Sequence, residues 1–516
     1  VQLGLTFGVR RAVQLRPHAC AIADGPQRFT WAQFADRVAR LAGGFRDLGV
    51  QSNDRVALLA LNSHRSVECY FAALHAGGVI VPINHRLARH EIAAQIADAE
   101  PGILVIGTEF IDLVAALRAG YAGAHFPKVV VCDGKMDAAF DDLLAAPPVA
   151  DANRAGDDLA CLFYTGGTTG APKGVMLSHA NIMANSLNFL AHLGTDETLV
   201  HLHCGPLFHV AAGVRLFSTT QVAGTHVVLP RFAAAGVLEA IARERVTLAT
   251  FVPTMLRALL DEPAIEDADV SSLRTITYGA APMPEALLHE AMARLPGVHF
   301  VQSYGMTETS PIATMLGWRD HGEAASRTGR LRSAGQAALL AEIAIADPTG
   351  GQLPQGEVGE IVIRGPMVML GYWRQPEATA QAIRDGWMRS GDVGYLDADG
   401  YLFVVDRIKD IIISGGENVH SQEVENVIAG HPAVHQCAVF GRPDPRWGEA
   451  VHAVVVPRPD MALTPADIIA HCKARMAGFK CPRSVEIRRQ PLPLSGTNKI
   501  LKQKLRDELT LAACPA

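Results

Sequence analysis

Short apolar runs with strand character alternate with stretches of helical period through most of the chain, and this alternation limits the fold more than any other feature. Thr30 to Leu48 puts Trp31, Phe34, Val38, Leu41, Phe45 and Leu48 on one helix face, with Thr30 and Gln33 forming a capping box at its start. Val56 to Leu61 reads as a buried strand. It is followed by a helix from about Ser66 to His75, a strand from Val79 to Val81, a helix from about Glu91 to Ala99 and a strand from Ile103 to Ile106. The pattern returns at Val227, Val246 to Val252 and Thr275 to Tyr278. Strands separated by helical crossovers come back parallel, so the expected fold is α/β, with βαβ layers around parallel sheet.

After about residue 355 the texture changes. Glu360 to Arg364, Tyr401 to Val405 and Ile411 to Ile413 read as shorter strands between Gly-rich turns. Arg407 to Ala516 is long enough for one small domain. It reads as a helix (Gln422 to Ala429), two strands (Val434 to Phe440 and Ala450 to Val456), a helix (Ala466 to Met476) and an irregular segment to Lys499. The expectation is a large N-terminal domain of βαβ layers followed by a small α+β C-terminal domain.

Composition excludes several classes. Hydrophobic residues at 49% and charged residues at 19% of 516 describe a globular chain, long enough to bury a core without staples. The net charge of −6 argues against a dedicated nucleic-acid binder. The 9 cysteines are scattered without a CxxC pair, which argues against a disulfide framework or structural zinc and fits a reducing compartment. No apolar run is long enough to span a membrane, and Arg10 and Arg11 follow the first apolar residues rather than precede them. A cytoplasmic protein with no integral membrane association is expected, with a homodimer left open. Between His471 and Arg506 ten basic residues face a single acid, Glu486, which reads either as a solvated edge or as a surface for a polyanionic small molecule.

The densest local chemistry is Tyr164-Thr165-Gly166-Gly167-Thr168-Thr169-Gly170-Ala171-Pro172-Lys173-Gly174, directly after the strand-like Leu159 to Tyr164. Its glycines allow tight turns with N–H groups aimed inward, while threonine hydroxyls and one lysine add donors and no acid intrudes. Such a segment suits phosphate oxygens. It is not a P-loop, because Pro172 precedes the lysine and Gly174 follows it, where that loop has Lys-Ser/Thr opening a helix. This argues against a P-loop kinase or ATPase.

Thr165 to Lys173 resembles the phosphate-binding signature of the adenylate-forming superfamily, which includes acyl-CoA synthetases, luciferases and peptide-synthetase adenylation domains. Four further segments resemble that family's motifs in the same order. They are Gln302 to Thr309, Ser390-Gly391-Asp392 with Gly394-Tyr395, Asp406 to Asp410 with Gly415 to Val419, and Pro493 to Lys499. The match covers nearly the whole chain and is most like fatty-acyl- and aryl-CoA ligases. The resemblance implies an ATP-dependent, AMP-forming acid:CoA ligase with ATP, Mg²⁺ and coenzyme A. The acid is apolar and monocarboxylic, because no basic residue is placed for a second carboxylate. Delivery to a carrier protein instead of CoA is the alternative, and a luciferase-like monooxygenase shares the adenylation parts.

The resemblance also implies roles. ATP would be held by Thr165, Gly166, Gly167, Thr168, Thr169, Gly170 and Lys173, together with Ser303, Gly305 and Thr307, the last donating to the α-phosphate. Tyr304 and the backbone of Gly279, Ala280 and Ala281 would flank adenine. Asp392 suits both ribose hydroxyls, Arg407 ribose or phosphate oxygens, and Glu308 a bridging Mg²⁺. Lys499 would be catalytic, with Thr307, Glu308 and His209. The domains would be residues 1–406 and 411–516, with a hinge at 407–410 centred on Lys409 and a mobile C-terminal domain. CoA would meet Gly415, Gly416, Trp447, Phe479, Lys480 and Arg483, with Cys481 standing where some relatives have arginine. The acyl pocket would comprise Phe208, His209, Val210, Phe251, Val252, Thr254, Ala280 and Met306. Gly166 replaces a serine common in the family, which costs a hydroxyl and keeps the N–H.

Overall fold

A computed structural model describes residues 4–121, 123, 125–134, 136–165, 172–459, 461–494 and 500–513. Among these, two large sheets form the N-terminal unit. The first has nine strands in the order Gln336–Ala337, Thr314–Leu316, His299–Tyr304, Thr275–Gly279, Leu248–Phe251, Val200–His203, Thr225–Val228, Cys20–Asp24 and Gln27–Thr30. The second has eight, in the order Gly371–Tyr372, Lys173–Ser178, Leu159–Thr165, Val79–Pro82, Arg55–Leu59, Ile103–Ile106, Lys128–Val131 and Ala138–Ala139. Both are parallel in their centres, as the alternation requires, and antiparallel where an edge is reached through a hairpin, as at Leu159–Thr165 against Lys173–Ser178.

Helix His64–His75 explains how the two sheets share a core. It touches strands of both, and its residues from Val67 to Leu74 are buried without a break. A helix buried on every side belongs between layers. Its one buried acid, Glu68, is met by Arg37 at 2.5 and 3.1 Å. Helix Trp31–Asp47 covers it with the expected stripe, and the Thr30 capping box is formed, with reciprocal bonds of 3.2 and 2.9 Å to Gln33.

The later residues build a five-stranded antiparallel sheet, in which Trp387–Leu396 pairs with Gly359–Arg364 and with Leu402–Arg407. The C-terminal unit is smaller: Val434–Asp444 and Gly448–Pro457 form a long hairpin, joined by Ile412–Ser414 and by Ser484–Ile487, with helices Ser421–Ala429 and Pro465–Lys473 packed against it. The segment expected to run irregularly to Lys499 thus contains a strand, Ser484–Ile487. Its mixed sequence hides the parallel pairing with Gly448–Pro457. Cys481 is buried in this unit's core and makes a sulfur contact to Ala477 O. The basic run is partly spent inside the molecule: Lys480 pairs with Glu423, Arg488 with Glu486 and Glu508, Lys502 with Glu425 and Arg506 with Asp410. No helix among the described residues is long and apolar enough to cross a membrane.

Several histidines lie in the core as neutral rings. His203 Nε2 is 3.0 Å from His226 Nδ1, whose Nε2 is 3.1 Å from Thr220 Oγ1, and His201 Nδ1 is 2.8 Å from Thr219 Oγ1. Burial pushes His203 down to about 3 and His179 and His321 down to about 4 from an ordinary 6.5. The unfolded chain therefore takes up these protons below pH 6.5, while the folded chain refuses them until about pH 4. Stability is present above pH 6.5 and is lost as pH falls, at about 1.4 kcal/mol per pH unit for each such ring. Urea unfolding midpoints are expected to fall steeply between pH 6.5 and 4.5. A flat profile across that window contradicts the neutral-core assignment.

Candidate active site

The strand Leu159–Thr165 ends where the Gly/Thr segment begins, and Lys173–Ser178 begins where it ends. Thr165 and Lys173 face one another across the hairpin, and Thr165 Oγ1 lies 3.4 Å from Lys173 O. The strand expected before the phosphate-binding segment is thus present. Gly166, Gly167, Thr168, Thr169 and Gly170 lie outside the described residues. Trp373 N donates to Gly174 O at 2.7 Å and Tyr164 OH to Asp98 Oδ2 at 2.5 Å, so both strands are braced from outside.

The Gln302 to Thr309 motif runs off the strand His299–Tyr304 into a single 3₁₀ turn, Thr307–Thr309. Asn185 Nδ2 donates to Thr309 O and Ile312 O, both at 3.1 Å, and Met369 N donates to Glu308 O at 2.8 Å. The turn is therefore fixed from two distant elements. Glu308 Oε1 accepts the Tyr372 hydroxyl at 2.8 Å, and the Lys173 ammonium lies 4.8 Å from the centroid of the same tyrosine ring. Burial first, and the Glu308 charge second, raise the Tyr372 hydroxyl pKa, so it stays a donor. Glu308 Oε2 takes no bond among the described residues. One carboxylate with a spare oxygen fits Mg²⁺, which draws its other ligands from phosphates and water. Among the described residues no cluster of three acids, histidines or cysteines stands ready to hold a metal alone.

Tyr304, at the end of that strand, links the motif to the next one. Its hydroxyl donates to Asp392 Oδ2 at 2.8 Å, and Arg407 Nε lies 3.3 Å from Asp392 Oδ1. Asp392 and Arg407 are register partners on adjacent strands, which places acid and guanidinium side by side. Asp392 is 7% exposed, so this carboxylate is held by two donors with little water around it. Gly279 pairs with Ser303 so closely that a Cβ would sit 2.3 Å from Ser303 O, and Ala280 turns away with φ 65°. Ala281 and Gly305 flank the same strand ends.

The segment carrying His209 is pinned by residues that sequence reasoning passed over. Asn62 Oδ1 accepts from Leu207 N at 3.0 Å, Asn62 Nδ2 donates to Gly205 O at 2.8 Å, and Tyr70 OH donates to Leu207 O at 2.5 Å. His209 caps the short helix Val210–Gly213, its Nδ1 accepting from Ala211 N at 3.3 Å. Phe208 meets His85 edge-on at 5.0 Å, and His85 stacks on Phe110 at 5.2 Å. Burial, with Arg86 and Arg231 nearby, takes His85 down to about 4, so it acts here as a neutral aromatic wall. Of the expected pocket residues, Phe208, Val252, Thr254 and Met306 are partly exposed, whereas Val210 and Phe251 are buried, each in a different part of the core.

A second group forms on the C-terminal unit. Arg446 and Arg483 each place a guanidinium 4.7 Å from the Trp447 ring, and the indole packs on Gly415, where a Cβ would come within 2.7 Å of it. Gly415 has φ 64° and donates to Trp447 O at 2.7 Å, so glycine is required twice over. Gly416 follows with φ 86°. Phe479 is exposed, and Lys480 is turned onto both oxygens of Glu423 at 2.8 Å. Lys409 sits in the turn Ile408–Asp410, exposed. Beside it, Asp406 accepts from Ser421 N at 2.5 Å, and Ser421 Oγ accepts from Lys502 Nζ at 2.7 Å. Lys499 lies outside the described residues, but Leu494 and Ile500 on either side of its segment are bridged.

Known proteins resemble this chain along nearly its whole length. Residues 9–373 match the family described as AMP-binding enzyme, and residues 423–499 match the AMP-binding enzyme C-terminal domain. A feruloyl-CoA synthase from Amycolatopsis sp is 44% identical over 97% of this chain and 98% of its own. The long-chain-fatty-acid–CoA ligase FadD13 of Mycobacterium tuberculosis is 34% identical over 98% of both chains. The solved structure of the amide bond synthetase McbA from Marinactinospora thermotolerans superposes with a TM-score of 0.88 at 32% identity, covering 98% of this chain and 99% of that one. The chain belongs to the AMP-binding enzyme family and is an acid–thiol ligase of the AMP-forming kind.

Proposed function

We propose that this ligase activates an aryl-substituted monocarboxylic acid and passes the acyl group to CoA, with residues 1–406 binding ATP and acid, 407–410 acting as hinge and 411–516 carrying Lys499 and the CoA contacts. The observation that carries the reading is a pair of contact lines, one from Lys173 through Tyr372 to Glu308 and one from Tyr304 to Asp392 and Arg407. It supplies a cation for phosphate, an acid for Mg²⁺ and a carboxylate for ribose in that order. The aryl choice is supported by the similarity to feruloyl-CoA synthase and by the His85–Phe208 aromatic wall.

In the first half-reaction a substrate carboxylate oxygen bonds to the α-phosphorus and the bond to pyrophosphate breaks. Joining two anions demands charge neutralisation, and catalysis is mainly positioning and electrostatics. Lys173 and the 165–170 donors hold the departing phosphates, Thr307 the α-phosphate, and Asp392 with Arg407 fixes the ribose. Mg²⁺, when bound at Glu308, offsets charge on the phosphate oxygens. Lys499 meets the growing charge between carboxylate and phosphate, with His209 beside the acid. In the second half-reaction the CoA sulfur bonds to the acyl carbon, AMP leaves with the shared oxygen, and the thiol proton is lost to solvent. Rotation at Lys409 exchanges Lys499 for the Gly415, Gly416 and Trp447 face, with Phe479, Lys480 and Arg483 toward the CoA nucleotide. For Lys480 this requires release from Glu423.

A panel of aryl-propenoic, aryl-acetic and long-chain fatty acids, assayed for AMP release with and without CoA, tests the reading. The expected result is AMP as product, dependence on CoA for turnover, and kcat/KM at least about tenfold higher for an aryl acid than for the fatty acid, a pocket-fit difference of about 1.4 kcal/mol. ADP as product refutes adenylation. A preference for the fatty chain refutes the aryl assignment, and turnover on a carrier protein without CoA establishes the other acceptor.

A further inference from the structure

Lys173 and Glu308 carry opposite charges within reach of one phenol ring, yet no ion pair joins them among the described residues. A direct pair would neutralise both groups and remove the cation meant for phosphate and the acid meant for metal. Tyr372 stands between them. Its ring face takes the ammonium at 4.8 Å and its hydroxyl takes Glu308 Oε1 at 2.8 Å. Both are favourable interactions for a face that is electron-rich and an edge that carries a donor.

The tyrosine is itself fixed. It is 8% exposed, and the strand Gly371–Tyr372 pairs with Lys173–Ser178, the strand that begins with Lys173. Tyr372 N donates to Thr379 Oγ1 at 2.8 Å, and Thr379 Oγ1 in turn donates to Gln375 O at 2.9 Å. The ring is therefore held by backbone on one side and by the two charges on the other.

We propose that Tyr372 is a positioning residue that keeps Lys173 and Glu308 apart and aims Glu308, leaving the ammonium for the ATP phosphates and the second carboxylate oxygen for the metal. This rests on the assignment of Lys173 to phosphate and Glu308 to Mg²⁺. The spacer and the aiming bond are separable. Tyr372→Phe keeps the ring and loses the hydroxyl, while Tyr372→Leu loses both.

The test uses the full chain and two measurements. Mn²⁺ binding with a non-hydrolysable ATP analogue is followed by electron paramagnetic resonance, and metal-free ATP binding by calorimetry. Tyr372→Phe is expected to weaken Mn²⁺ about tenfold, the usual effect of losing one hydrogen bond to a charged group, with metal-free ATP affinity unchanged. Tyr372→Leu is expected to weaken metal-free ATP binding as well, because Lys173 then collapses onto Glu308. Parent-like Mn²⁺ affinity in the Phe variant overturns the aiming role. Equal metal-free ATP affinity in the Phe and Leu variants overturns the spacer role. Glu308→Gln separates the underlying assignment: if it binds Mn²⁺ like the parent, Glu308 is not the metal ligand. If it loses Mn²⁺ while Tyr372→Phe does not, the fault lies with Tyr372 alone.

Discussion

Lys499→Ala is expected to lose adenylate formation by about 10²–10³, the scale set by removing one preorganised donor from a site where charge develops. It should still convert a supplied acyl-adenylate and CoA to thioester at close to the parent rate. That split matters more than the size of the loss. A lysine that merely supported the fold would depress both half-reactions together, whereas a lysine used only before rotation at Lys409 affects one. Stopped-flow pyrophosphate release measures the first step, and thioester formation from synthetic adenylate measures the second. Equal losses in both remove Lys499 from the catalytic role.

Asp392→Ala is expected to weaken ATP binding about 100-fold, because the ribose loses two hydrogen bonds to a charged acceptor. The same change leaves the Tyr304 hydroxyl and the Arg407 guanidinium without their shared partner. A lower melting temperature should accompany the affinity loss. Asp392→Asn, which retains one acceptor oxygen, should recover part of the stability and little of the affinity. ATP affinity within threefold of the parent in the Ala variant contradicts the ribose assignment.

What the sequence disclosed was mostly local. The strand Ile103–Ile106 is as expected to the residue, because an unbroken apolar run has nowhere to go but a buried sheet. The Thr30 capping box and the strand before the Gly/Thr segment follow from short patterns and are present. The entry of Cys20–Asp24 into the far sheet was not legible, since its parallel partner Thr225–Val228 lies about two hundred residues away. Long-range positioning was hidden in the same way. Nothing in the neighbourhood of Tyr372, Asn62 or Tyr70 marks it, because each acts on a segment that only folding brings near. Charge was read too simply: Lys480, Lys502 and Arg506 looked like open cations, and each has an acidic neighbour drawn from elsewhere in the C-terminal unit or its hinge.

The two segments proposed to meet the nucleotide, 166–171 and 495–499, are each flanked by paired residues, one by Thr165 with Lys173 and the other by Leu494 with Ile500. A substitution confined to the residues between either pair leaves that pair's backbone bridge in place. Nucleotide handling and melting temperature are therefore expected to respond separately to such substitutions.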